Sequence, residues 1–293
     1  MNPNIKNIQA EKPIEELINF SIINIDKPTE HTSFDVVARI RKIFGIKKVG
    51  HFGTLDPKVT GVLPISLNRA CKLSDYFMHH DKEYIGKMYV HKDVRGGVLR
   101  KEMEKFIGKI KQLPPVKSSV KRVERERTVN KFKIKEIEGK TVGFHCDVEA
   151  GTYIRKLIHD LGQEIGGAHM IKLVRVRAGI FNLKESHTIE EVKEAYDLWN
   201  KKGDESKLRK ILIPAEILSK ILPFVEIKEE SLDQLLIGRP IYEEDIKDIS
   251  IVNELEDEEL FILFSGDKFI EVAKKIEKKE DSKVIAKPDF VLN

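Results

Sequence analysis

The chain has 293 residues, of which 41% are hydrophobic and 34% charged, with a formal net charge of +4. That composition supports one large domain, or a large one plus a small one, and excludes wholesale disorder. The longest apolar run, LFILF at 260–264, is far too short for a membrane span. The N-terminus lacks the apolar stretch of a secretory signal, and Cys71 and Cys146 are too few for a disulfide framework or a four-ligand metal site, so an intracellular, reduced, metal-free protein is expected.

In chain order, residues 21–26 (SIINID) read as a short buried strand ended by Lys27-Pro28. Thr32 or Ser33 can cap a helix whose apolar positions Val36, Val37, Ile40, Ile43 and Phe44 recur at helical spacing, with Gly45 as its stop. A glycine-studded loop over 50–61 precedes a strand through Val62–Leu67, and 84–90 form another strand. A helical stretch around 99–108 leads to Pro114-Pro115, which must be extended. Residues 141–149 alternate, with Val142, Phe144, Cys146 and Val148 on one face. A helix over 152–166 carries an apolar stripe of Ile154, Leu157, Ile158, Leu161 and Ile165, and a strand over 170–177 places Leu173, Arg175 and Arg177 on one face. The polar stretch 198–209 looks like a boundary. After Pro214 short strands are expected at Phe224–Ile227, Leu260–Phe264 and Phe269–Val272, the last two joined through Ser265-Gly266-Asp267. Helix and strand signals mix without a βαβ rhythm, so the expected class is α+β around a mixed or antiparallel sheet, with 1–212 as one domain and 213–293 as a small, mostly β one. Residues 1–20 are candidates to pack on the tail, and truncation near 212 is expected to spare the larger fold.

The charge is uneven. Residues 109–133 hold nine Lys/Arg against Glu124 and Glu126, a second basic stretch is Arg39, Arg41, Lys42, Lys47 and Lys48, and 243–259 hold nine acids against Lys247. Basic clustering fits a polyanion such as nucleic acid; a solvated surface fits it equally well.

The stretch Gly50-His51-Phe52-Gly53-Thr54-Leu55-Asp56-Pro57-Lys58-Val59-Thr60-Gly61 carries the clearest chemical signal. Its glycines allow tight turning and close approach to a ligand, and Pro57 restricts Asp56. On those grounds Asp56 is either a positioned nucleophile or base, or simply the start of an Asx-type turn.

The run GHFGTLDPKVTGVLPI resembles, nearly residue for residue, the catalytic motif of the TruB and dyskerin family of RNA pseudouridine synthases. Similar segments follow the family's order: Asp26-Lys27-Pro28, Lys82-Glu83-Tyr84, Ala150-Gly151-Thr152-Tyr153-Ile154-Arg155, Gly167-Ala168-His169-Met170 and Leu173-Val174-Arg175. The resemblance implies isomerisation of uridine to pseudouridine in RNA without a cofactor or metal. It implies Asp56 as the catalytic carboxylate, Tyr84 as the ring that stacks on the target base, and Arg155 as the partner that holds a semi-buried Asp56 ionised. It also implies substrate contacts from His51, which fills the space of an extruded nucleotide, from Leu173 beside the base, and from Tyr153, Arg175, Lys121 and Arg122. One departure is Val174, which stands where the family has the first of two paired arginines.

Only 29 residues separate Tyr84 from Pro114, leaving little room for an inserted RNA-gripping segment. Pro114-Pro115-Val116-Lys117-Ser118-Ser119-Val120-Lys121-Arg122, His91-Lys92-Asp93-Val94 and Glu149-Ala150-Gly151 resemble the branch guided by box H/ACA RNA. That branch implies a guide RNA, target ribosomal or transfer RNA and small accessory proteins as partners, no membrane, and a PUA-like RNA-binding tail. The implied location is cytoplasmic in an archaeon and nucleolar in a eukaryote. The alternatives are a stand-alone transfer RNA pseudouridine-55 synthase and a non-catalytic RNA-binding scaffold. The acidic 243–259 run argues against a broad RNA surface on the tail.

Overall fold

The computed structural model describes residues 3–114, 121–277 and 283–293. Helices α1 (Ile5–Glu11) and α2 (Ile14–Asn19) lead into strand β1 (Ser21–Lys27), which is buried almost throughout. Helix α3 (Ser33–Phe44) is capped by Thr32: its hydroxyl accepts from the Asp35 N–H while Asp35 accepts from the Thr32 N–H, and Gly45 ends the helix at φ 63°. Then come β2 (Val49–His51), β3 (Thr60–Leu67), α4 (Ser74–Met78), β4 (Lys82–Val90), α5 (Gly96–Glu104), β5 (Gly108–Gln112), β6 (Arg125–Glu138) and β7 (Thr141–Val148). Helix α6 (Ile154–Ile165), β8 (Ala168–Ala178), β9 (Phe181–Asn182), α7 (Ile189–Lys202), α8 (Ser206–Ile211) and β10 (Ile213–Pro214) follow.

These ten strands make one mixed sheet in the order β10-β1-β3-β8-β4-β7-β6-β5, with β2 beside β3 and β9 beside β8. Every described pairing is antiparallel except β3 with β8, which run parallel at Thr60–Val174 and Gly61–Arg175. The apolar stripes of α3, α6 and α7 close over one face, joined by Val142, Phe144, Cys146 and Val148 of β7. Their burial is the main source of stability, on the order of 25 cal/mol per Å² of apolar surface removed from water.

Three sequence expectations change. The helix expected at 99–108 lies at 96–104, because Gly108, at φ 97°, opens β5. The basic run 109–133 is largely a β5–β6 hairpin, with Pro115–Val120 outside the described residues. The stretch 198–209 is no boundary: it holds the end of α7, a turn at Gly203 and most of α8. Its polar composition reflects helix surface, and α7 begins at a Thr188–Glu191 capping box.

A second sheet, in the order β11-β13-β14-β15-β12, comprises β11 (Phe224–Glu226), β12 (Ile241–Tyr242), β13 (Leu260–Ser265), β14 (Lys268–Lys275) and β15 (Val284–Val291). It shares a core with the first sheet. Phe264, Phe269 and Phe290 of the tail join Phe20, Phe52, Phe77 and Phe181 in a single buried cluster. Arg69 reinforces the seam by donating to the Val291 carbonyl (2.7 Å), as does Tyr76 by donating to Asp289. At the N-terminal end, the Asn4 N–H donates to Asp267 and Lys12 pairs with Glu216 (2.6 Å). Truncation near 212 therefore removes β10 from the large sheet and exposes one side of the phenylalanine cluster. A 1–212 chain should be insoluble or melt far below the full chain; a soluble 1–212 chain with an unchanged melting temperature would contradict this.

Inside the tail, Glu271 of β14 is fully buried, and neither carboxyl oxygen has a hydrogen-bond partner among the described residues. Burial pushes its pKa up to about 8, opposed by nearby Arg239. The folded chain thus keeps a proton that the unfolded chain releases near the ordinary value of 4.5, so stability falls as pH rises from there through about 8. Glu271→Gln should flatten that limb and raise the melting temperature above wild type at pH 8; parallel melting profiles for the two chains would refute the assignment.

Candidate active site

The loop carrying Asp56 is held at both ends and in the middle. The Phe52 N–H donates to the Pro64 carbonyl (2.9 Å), and the Phe52 ring stacks on Phe77 at 4.8 Å between centroids. Buried Ser33 accepts from the Leu55 N–H (2.9 Å) and donates to the Leu55 carbonyl (3.3 Å). The Val59 N–H donates to the Asp56 carbonyl (3.0 Å), closing a turn with Asp56 at its first position and Pro57 at its second, where proline's fixed φ is favoured. Asp56 therefore starts a turn through its backbone carbonyl, which leaves its carboxylate to pair elsewhere. Gly61 ends the loop at φ 100°; a Cβ there would lie 2.2 Å from the Arg175 carbonyl oxygen, so only glycine lets β3 meet β8 at that point.

Arg155 comes from the first turn of α6 and pairs with the Asp56 carboxylate. The start of α6 is fixed by Gln112 at the end of β5, whose side chain accepts from the Tyr153 N–H (2.9 Å) and donates to the Tyr153 carbonyl (3.2 Å). The expected semi-burial of the pair is not found: the two side chains are 58% and 54% exposed, because loop and helix end both open to solvent. Such a pair contributes about 0–1 kcal/mol to stability, so it does little to hold the fold.

Tyr84 lies on β4, opposite Arg175 of β8. Tyr84 is partly buried, with its hydroxyl within hydrogen-bonding reach of the Arg175 guanidinium; burial pushes the phenol pKa up, Arg175 opposing. Arg175 departs furthest from its expected role. It is 2% exposed, and its guanidinium donates to the carbonyls of Val62 (2.7 Å), Gly53 (3.0 Å) and Thr54 (3.5 Å). It is a tie between the Asp56 loop and Tyr84, not a substrate contact, since its donors are directed at protein groups. Leu173 is buried in the main core, two residues before Arg175 on the same strand. His51, on β2, is half-buried. Burial, then the nearby Arg175 charge, push its pKa down, so the ring is neutral at pH 7, and its Nδ1 has no partner among the described residues.

Lys121 and Arg122 are exposed just before β6. Part of the basic run is neutralised by acids nearby: Lys109 pairs with Glu126 (2.9 Å) and Lys111 with Glu124 (3.7 Å) in or beside the hairpin, and Arg127 with Glu149 (3.2 Å) just after β7. The second basic stretch, Arg39, Arg41, Lys42, Lys47 and Lys48, is exposed on α3 and the turn after it.

Two positioning groups had not been singled out for a role. Lys27, in the Asp26-Lys27-Pro28 segment, is fully buried and donates to the carbonyls of Pro28 (2.9 Å), His31 (2.7 Å) and Pro57 (3.1 Å), fixing the residue after Asp56. Gln112 is the other. A lone glutamine carries no signal in a sequence; Lys27 carried one only as part of a matched segment. Among the described residues no group of three or more His, Cys, Asp or Glu could hold a metal ion, and no helix is long and apolar enough to cross a membrane.

Residues 41–154 match the family model of the TruB family pseudouridylate synthase (N terminal domain), and 155–219 match that of the tRNA pseudouridylate synthase B C-terminal domain. The chain belongs to the TruB family of pseudouridine synthases. Among its TruB relatives it is 44% identical over 229 residues to the probable tRNA pseudouridine synthase B of Methanopyrus kandleri, covering 78% of this chain and 68% of that one. It is 43% identical over 230 residues to the protein of the same name from Korarchaeum cryptofilum, covering 78% and 71%. This TruB-family chain also superposes on a chain from the crystal structure of a Cbf5-Nop10-Gar1 complex with a TM-score of 0.86, 36% identity and coverage of 97% and 88%. A chain from the structure of an H/ACA RNP bound to a substrate RNA containing 2′-deoxyuridine gives a TM-score of 0.84, 34% identity and coverage of 97% and 88%. The α+β class and the activity of an RNA pseudouridine synthase accord with these matches.

Proposed function

We propose that Asp56 is the catalytic carboxylate of this pseudouridine synthase, with Arg155 aiming it and Tyr84 stacking on the flipped uracil. The observation that carries this reading is the open Asp56–Arg155 pair on a loop tied through Arg175 to Tyr84. A stacked or paired uridine must leave its stack to reach such a site, at a cost on the order of a few kcal/mol, which an aromatic face and backbone contacts offset. Asp56 then acts on the nucleoside, by addition or by deprotonation, as the glycosidic C–N bond breaks; the base rotates and rebonds through carbon. No redox change occurs and no atom is gained or lost.

The substrate is selected chiefly through a box H/ACA guide RNA, with small accessory proteins and a PUA-like tail as further parts of the complex. The superposition over 97% of the chain on the Cbf5-Nop10-Gar1 structure supports this, as does the short His91–Arg95 link between β4 and α5. The isolated chain should convert target uridines slowly, and guide RNA with accessory proteins should raise the rate strongly. Rapid, site-specific modification of transfer RNA by the chain alone, with no gain from a guide, would favour the stand-alone reading that its relatives' names suggest.

A further inference from the structure

A cavity of about 480 Å³ lies away from the Asp56 site, where α1 and α2 meet the tail. Its wall includes Lys12, Phe20, Glu216, Asp267 and Phe269. Glu216 is 1% exposed. One carboxyl oxygen accepts from Lys12 Nζ at 2.6 Å, and the other, Oε2, has no partner among the described residues. A buried acceptor left unpaired is destabilising, and a donor supplied by a bound molecule would relieve that cost.

The wall narrows the class of molecule. With Glu216 and Lys12 set against each other, Glu11, Glu16 and Asp267 remain against Lys268, so anions, nucleotides and RNA backbone are repelled. A flat base finds no open ring: Phe20 and Phe269 are buried, packed edge to face at 5.2 Å, with Phe290 6.2 Å from Phe20 and the Lys12 ammonium 5.5 Å from the Phe20 centroid. Lys12 itself displays the favoured chemistry, an aliphatic stem with an ammonium between a carboxylate and an aromatic ring. Ile8 and Leu292 supply apolar wall for more of the same.

We propose that this cavity binds a small aliphatic di- or polyamine, one ammonium donating to Glu216 Oε2 and another to the acidic rim. The volume falls within the usual few-hundred-Å³ range of small-molecule sites. A ligand there bridges the N-terminal helices and the tail, so it stabilises the seam that closes the shared phenylalanine core.

The test titrates the full-length chain with spermidine at about 0.15 M salt, where attraction to exposed acids is screened beyond roughly 8 Å. Calorimetry should give one equivalent bound, and the melting temperature should rise with spermidine concentration because only the folded chain binds it. Two variants locate the site. Glu216→Gln removes the acceptor charge, and Asn19→Trp, from an exposed position on the cavity wall at the end of α2, fills the cavity while leaving Lys12 and Glu216 unsubstituted. Each should weaken binding by about tenfold or more. Asn19→Trp keeps the test decisive if Glu216→Gln does not fold. Absence of binding, wild-type affinity in either folded variant, or several weak equivalents abolished by salt (attraction to the acidic 243–259 surface) would overturn the assignment.

Discussion

Asp56→Asn should leave the chain folded and able to bind RNA while lowering uridine isomerisation by about 10³-fold or more, the scale of losing a group essential to bond-making in the transition state. The structure separates the two effects. Asp56 is exposed and, among the described residues, pairs with exposed Arg155, so the melting temperature should change by no more than about 3 °C. The turn survives because the Val59 N–H bonds to the Asp56 backbone carbonyl, which the substitution keeps. RNA affinity should hold or tighten slightly, since Arg155 is freed from its counter-ion. A purified variant that turns over near the wild-type rate would remove Asp56 from the chemistry and leave Arg155 pairing as a surface detail.

The parts of the site legible in the sequence were those whose signal is local. Thr32 and Gly45 bracket α3, alternation marks β7, and the resemblance, carried by GHFGTLDPKVTGVLPI, Lys82-Glu83-Tyr84 and Ala150-Gly151-Thr152-Tyr153-Ile154-Arg155, pointed to Asp56, Tyr84 and Arg155. Long-range or context-dependent packing was not legible. Strand β6 was hidden because its outward residues are lysines and acids, which dominate the composition, while buried Val129 and Phe132 are few. Strand β15 was hidden in the same way, behind Lys283, Lys287 and Asp289. The joint core of Phe20, Phe52, Phe77, Phe181, Phe264, Phe269 and Phe290 draws on residues scattered over most of the chain, and nothing local marks them as neighbours. The expectation that truncation near 212 spares the larger fold followed from that.

Arg175 illustrates the limit of reading charge from sequence. On a strand with Leu173 and Arg177, an arginine in an RNA enzyme reads as a phosphate or base contact; folded, it is one of the largest fully buried side chains described. Desolvation pushes its pKa down, with Tyr84 opposing, yet a guanidinium stays charged when buried because its donors are met. Arg175→Met keeps much of the volume but strands the carbonyls of Val62, Gly53 and Thr54 and frees Tyr84. Bonds from a buried charge are worth about 1.5–3 kcal/mol each, and their losses overlap, so a cost of about 3–5 kcal/mol is expected, with a melting-temperature drop on the order of 10 °C. Turnover should fall further than stability explains even well below the melting point, because the Asp56 loop and the Tyr84 ring are no longer held to one another. Arg155→Lys is the contrast: an exposed arginine whose replacement should spare the melting temperature but impair turnover, since an ammonium lacks the planar fork that aims a carboxylate. Melting curves and single-turnover rates for both variants decide the matter. If Arg175→Met melts with wild type, the guanidinium is not the tie described; if Arg155→Lys unfolds early instead, the two arginines have exchanged roles.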